Sequence, residues 1–165
     1  DGTPEEKPDP NAPDAPPAVL PEDAAQLRVV CVAGRGAFDE VTTAIAVQLL
    51  TRRGFAPVTA NYAQFRRGHT DTLGIDGAAI VCVVTLDAPE APPYLRNLLR
   101  RIRDRAPGAQ LIVGIGGQSE RVDEVGALSD TQNANAFSDL VNQCVQAANA
   151  VSAPLVEKAP RSVGA

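Results

Sequence analysis

The chain has 165 residues, 44% of them hydrophobic and only 4% aromatic, with a formal net charge of −5. That is enough for one domain with a core, and the core must be aliphatic because Trp is absent and Phe and Tyr are scarce. No apolar run approaches the roughly 18 residues that span a bilayer, and an evenly balanced body argues against nucleic acid, whose binders carry a basic footprint.

The charge is unevenly placed. Residues 1–26 hold seven acids against Lys7, whereas residues 27–150 hold twelve basic and twelve acidic residues. The same first 26 residues carry seven of the fourteen prolines. Proline removes a backbone donor and fixes φ, and too little apolar surface is present to offset ordering entropy. Residues 1–26 are therefore expected to be a disordered acidic linker and 152–165 a flexible tail, flanking a domain over 27–151. The chain starts at Asp1 and contains no Met, so it reads as a piece of a longer or processed protein. Its start is acidic and proline-rich, which is not the pattern of a signal peptide.

Leu27–Ala33 is a continuous apolar run and reads as a strand. It ends in Gly34-Arg35-Gly36, and a helical pattern over 38–53 follows at once. Phe38, Val41, Ile45 and Leu49 fall on one face of that helix, the stripe expected to meet a core. Gly54 terminates it. Phe55–Tyr62 is a weaker strand and Ala78–Thr85 a strong one. Residues 92–105 form a helix with Leu95, Leu98, Leu99 and Ile102 inward, stopped by Pro107-Gly108. Leu111–Ile115 is the fourth strand. A fifth is expected near Ala127-Leu128 after a poor helix. A last helix is expected over about 133–151, with Phe137, Leu140, Val141, Cys144 and Ala148 on one side.

Strands without polar alternation are covered on both faces, and helices between them imply right-handed crossovers. The expected fold is a doubly wound, three-layer α/β domain with a parallel sheet of four to five strands, of Rossmann or flavodoxin type.

In such sheets ligands bind beyond the carboxyl ends of the strands. Three segments should meet there: Gly34-Arg35-Gly36, Thr85-Leu86-Asp87, and Gly116-Gly117-Gln118-Ser119. The first could aim backbone N–H groups and a helix terminus at an anion, with Arg35 assisting. Gly117 and Ser119 would line the other wall. The dinucleotide fingerprint needs a third glycine at position 39, but Asp39 stands there, and an acid in the first turn suits the helix and repels phosphate. A tight strand-to-helix connection is the better reading of the turn, and an anion site the second. Thr85, Asp87 and Glu90 could serve acid–base chemistry, but residues of this kind before a helix more often cap it. His69, the single histidine, sits in an expected surface loop with no inferable partner.

Cys31, Cys82 and Cys144 are odd in number and widely spaced, with no C-x-x-C pair. They read as small buried hydrophobes in a reducing compartment, with no metal site and no cofactor. Arg96, Arg100 and Arg103 form a helical stripe, which is either a solvated face or a contact for the acidic tail or for lipid headgroups.

Two resemblances follow from these motifs. "LIVGIGG" and the overall pattern over Leu27–Gly117 resemble the cobalamin-binding domain, whose first loop carries a cobalt-ligating histidine; "GRGAFDEV" has none at that place. More specifically, "VVCVAGRGAFDEVTTAIAVQLLTRRGF", "GAAIVCVVTLDAP" and "YLRNLLRRIRDRAPGAQLIVG" are similar to a soluble C-terminal domain of autoinducer-2 exporter (AI-2E) family permeases. That resemblance implies a non-catalytic cytoplasmic appendage of a bacterial transporter, with the membrane portion of its own parent chain as partner. The alternatives are a sensor of a nucleotide or other small anion and, last, a small hydrolase or transferase.

Overall fold

The computed structural model describes residues 19–60, 74–86, 93–115, 131–134 and 136–152. Five strands and three α-helices lie along them: β1 (Val29–Ala33), α1 (Asp39–Arg53), β2 (Val58–Ala60), β3 (Ile80–Thr85), α2 (Pro93–Arg105), β4 (Gln110–Ile115), β5 (Gln132–Ala134) and α3 (Phe137–Ser152). The strands form one sheet in the order β2-β1-β3-β4-β5, and every adjacent pair is parallel. This is the doubly wound α/β arrangement with flavodoxin-like strand order.

The central strands are apolar because both of their faces are covered. Every residue of β1 and of β3 is buried. On one face Val30, Val32, Val81, Val83, Leu111 and Val113 meet Leu95, Leu98, Leu99 and Ile102 of α2, the four residues expected from the spacing. On the other face Val29, Cys31, Ile80, Cys82, Val84 and Ile112 meet α1 and α3. Gly54 ends α1 in a left-handed conformation (φ 112°), and its N–H reaches the carbonyls of Leu50 and Thr51.

Three expectations need correction. The apolar stripe of α1 is turned away from the sheet, with Phe38 and Val41 largely exposed. The buried side is Asp39, Thr42, Thr43, Ala46 and Leu50. Its two threonines become compatible with burial by bonding back along the helix, Thr42 Oγ1 to the Phe38 carbonyl at 2.8 Å and Thr43 Oγ1 to the Asp39 carbonyl at 2.6 Å.

The last helix begins at Phe137 rather than 133, and Gln132–Ala134 pairs with β4 as the fifth strand. The position expected for that strand, Ala127-Leu128, lies outside the described residues.

The linker ends earlier than residue 26. Leu20 packs on the α1/α3 core, Ala24 is buried in it, and Ala24–Gln26 forms a 3-10 turn. Asn149 Nδ2 donates to the Val19 carbonyl at 3.1 Å, and Ser152 Oγ bonds Asp23 at 2.9 Å. The physical reason is that Leu20 and Ala24 give this end something to bury despite Pro21, while Val19 stays exposed and contributes only its carbonyl.

Candidate functional site: the strand-end crevice

The strand order reverses at the β1/β3 pair, since the chain leaves β1 toward β2 on one side and β3 leads to β4 on the other. The crevice of such a fold opens beyond the carboxyl ends of these two strands. Gly34 and Thr85 stand there side by side, and the Gly34 N–H donates to the Val84 carbonyl at 2.8 Å.

Asp39 governs this place. It is the first residue of α1 and fully buried. Its Oδ2 accepts from the Gly36 N–H at 2.8 Å, and its Oδ1 accepts from the Leu86 N–H at 2.8 Å. One carboxylate thus ties the turn after β1 to the residue after β3. Hydrogen bonds to an ionised acceptor are the stronger kind, and the two oxygens have separate donors here.

Gly34 is the counterpart in space. A Cβ at that position would lie 2.3 Å from Asp39 Oδ2 and 2.9 Å from the Thr85 Cβ. Only glycine leaves room for the carboxylate to fold back over the strand end. Thr85 is buried, and its Oγ1 lies 3.3 Å from the hydroxyl of half-buried Tyr94. Arg35 is exposed and Gly36 half-buried.

The structure therefore brings Gly34, Gly36 and Thr85 together, with Arg35 at the mouth. Asp87, Gly117 and Ser119 lie outside the described residues, as do Glu90 and His69. Asp39 has a role that sequence reasoning missed. In the sequence it stands as an acid facing a would-be phosphate, whereas its carboxylate occupies the position where an anion would meet the Gly36 amide. The signal available in sequence is an acid at the third-glycine position of an otherwise glycine-rich turn.

The other cluster of chemically active groups is internal. Cys31 and Cys82 are register partners on β1 and β3, and Cys144 reaches them from α3. All three thiols are free and buried, with Cys82 Sγ 3.4 Å from Cys144 Sγ. Hydrogen bonding with Cys144 and Cys31, then burial, pushes the Cys82 thiol well above its usual range. A thiol held protonated is a poor nucleophile. Among the described residues no group of His, Cys, Asp and Glu is disposed to hold a metal ion.

Of the arginine stripe on α2, Arg96 and Arg100 are exposed. Arg103 instead donates to the Ala109 carbonyl at 2.9 Å, bracing the turn into β4, and Arg105 pairs loosely with Asp76 at 3.8 Å.

A scan against protein-family models finds no match, and a search of curated proteins finds no significant one. Among solved structures the chain is similar to the C-terminal domain of glucosamine-fructose-6-phosphate aminotransferase from Francisella tularensis. The two are 14% identical with a TM-score of 0.46, over 75% of this chain and 34% of that one. The chain thus spans about a third of that protein chain's length.

Proposed function

We propose that this chain is a non-catalytic regulatory or interaction module, with a closed strand-end crevice on an α/β scaffold. The observation that carries this reading is the bonding of Asp39. In an anion-binding crevice the amides at the helix start are open to the ligand. Here the Gly36 and Leu86 amides donate to a buried carboxylate of the chain itself. An incoming phosphate would have to displace that carboxylate or sit against its charge.

The resemblance read in three long segments to the C-terminal domain of AI-2E family permeases, which no family model matches, motivates a finer proposal: a cytoplasmic module tethered to the membrane portion of its parent chain. No helix among the described residues is long and apolar enough to cross a membrane, so this proposal assigns any span to the parent. Upstream apolar spans in the parent reading frame would support the tether, and a parent without them would remove it.

Calorimetry with a panel of nucleotides and inorganic phosphate tests the module reading, with Arg35→Ala as the control. The expected dissociation constants are no tighter than about 1 mM, or about −4 kcal/mol. Micromolar binding that disappears in Arg35→Ala would overturn the module and establish a small-anion sensor.

A further inference from the structure

Three large apolar side chains stand exposed on the outer face of α1. Phe38 is 71% exposed, Val41 59% and Ile45 43%. Phe38 immediately precedes the helix with helical backbone angles, so its side chain continues the same stripe. Half-buried Leu49 and exposed Arg52 complete it. The opposite side of α1, through Ala46 and Leu50, is already committed to the sheet and α3. Contiguous exposed apolar surface of this kind marks interaction sites.

The order of residues along the stripe says what fits it. Phe38, Val41, Ile45, Leu49 and Arg52 follow one another at spacings of three, four, four and three. That series reads the same in both directions about Ile45. An antiparallel copy of the helix, related by a two-fold axis at Ile45, therefore meets it residue for residue. Ile45 faces Ile45, Val41 faces Leu49, and Phe38 faces Arg52.

Charge agrees with the same orientation. Exposed Glu40 lies in the first turn of α1 and Arg52 and Arg53 in its last, whereas the buried Asp39 carboxylate is turned inward to the Gly36 and Leu86 amides and takes no part. An antiparallel pair sets each basic end beside the other copy's acidic end and opposes the two helix dipoles. It also lays the Arg52 guanidinium on a Phe38 ring, a favourable cation–π pair. A parallel pair would stack like charges at both ends.

We propose that the outer face of α1 is a self-association surface and that its occupant is α1 of a second copy of this chain, antiparallel about a two-fold axis at Ile45. The inference deepens the module reading by naming the partner, and it rests on that reading. An isologous contact of this type closes on itself and does not propagate into filaments. A helix of 15 residues is about 22 Å long, so the contact falls at the small end of specific interfaces. The dimer should be weak in dilute solution and strengthened wherever copies are held close together.

Sedimentation equilibrium on the chain from about 10 µM to about 1 mM covers the range expected of so small an interface. The expected result is a reversible monomer–dimer equilibrium, weakened at least roughly tenfold by Ile45→Lys, which sets two like charges on the axis. A second measurement uses Ile45→Cys with oxidised glutathione. The two introduced thiols, one from each copy, join as one disulfide while one glutathione disulfide is reduced to two thiols. The covalent dimer should form readily at position 45 and not in Thr51→Cys, an exposed position off the stripe. Circular dichroism verifies that each variant is folded.

A chain still monomeric at the highest concentration, a dimer indifferent to Ile45→Lys, or equal cross-linking at position 51 would each overturn the proposal. The nucleotide titration separates this from failure of the module reading. A monomer that binds no nucleotide removes only the self-association, whereas micromolar binding through Arg35 removes the reading beneath it.

Discussion

The main-chain N–H of Leu86 donates to Asp39 Oδ1 at 2.8 Å, joining positions 47 residues apart. The other oxygen of the same carboxylate holds the Gly36 N–H. The start of α1, the end of β1 and the end of β3 are thereby fixed by one side chain. Each hydrogen bond to a charged acceptor contributes about 1.5–3 kcal/mol. Asp39→Ala should therefore lower unfolding free energy by about 2–4 kcal/mol, and Asp39→Asn, which keeps one acceptor, should lower it less. Denaturant titration at neutral pH reads both. A loss below about 1 kcal/mol for Asp39→Ala would mean that water replaces the carboxylate without penalty.

Gly34→Ala probes the same clamp from the other side. Gly34 is required for space rather than for an unusual φ, since the added Cβ would lie 2.3 Å from Asp39 Oδ2. Either the carboxylate moves off its two amides or the strand end shifts. A cost of about 2–4 kcal/mol is expected, combining overpacking with loss of at least one strong hydrogen bond. In the double variant Gly34→Ala/Asp39→Ala the two costs should be non-additive, because the 2.3 Å approach disappears with the carboxylate, while the 2.9 Å approach to the Thr85 Cβ keeps part of the Gly34→Ala cost. Simple additivity in a double-mutant cycle would dissociate the two residues.

The sheet was legible because strands buried on both faces leave an unbroken apolar run, as in "VVCVA" and "IVCVVT". The inward face of α2 was legible because its four core residues alternate with arginines. α1 misled for a physical reason. Its buried side carries Asp39, Thr42 and Thr43, whose polar groups find backbone partners, while its exposed side carries Phe38, Val41 and Ile45. Periodicity finds the more apolar face and assigns it to the core; a face kept apolar for another chain gives the same signal. Gln132–Ala134 escaped because a short edge strand can be polar and still pair. The clustering of Cys31, Cys82 and Cys144 depends on strand order, which no local pattern contains.

The segment before β1 should matter more than its composition indicates. Residues 19–26 contribute Leu20 and Ala24 to the α1/α3 core and exchange hydrogen bonds with Asn149 and Ser152. Burial of part of a leucine and an alanine, with two modest hydrogen bonds, is worth about 2–3 kcal/mol. A chain beginning at residue 27 should be less stable by that amount than one beginning at residue 19. Thermal unfolding of the two is the comparison. Equal melting temperatures would show that the contacts of Leu20 and Ala24 add nothing net.

The buried thiols predict an alkaline limit to stability. The Cys82 pKa is raised well above 9.0, first by hydrogen bonding with Cys144, then with Cys31, then by burial. In the unfolded chain the same thiol titrates near its usual value, about 8.5. Below that value both states hold the proton, and the native advantage is fully present. Above it the unfolded chain releases the proton while the native chain keeps it, so unfolding becomes progressively favourable. The Cys82 contribution should fall by up to about 1.4 kcal/mol per pH unit from about pH 9 upward, until the folded pKa is reached. Unfolding free energies of the wild type and Cys82→Ala, measured at pH 7 and pH 10, isolate this contribution. The variant is destabilised at both, since it leaves a cavity between β3 and α3, but its loss between pH 7 and pH 10 should be smaller than that of the wild type by about 1–2 kcal/mol. Native-state alkylation at pH 8 gives an independent reading: Cys31, Cys82 and Cys144 should stay unmodified until denaturant is added. Fast labelling of Cys82 in the folded chain, or identical pH slopes for the two proteins, would contradict a thiol held protonated in the core.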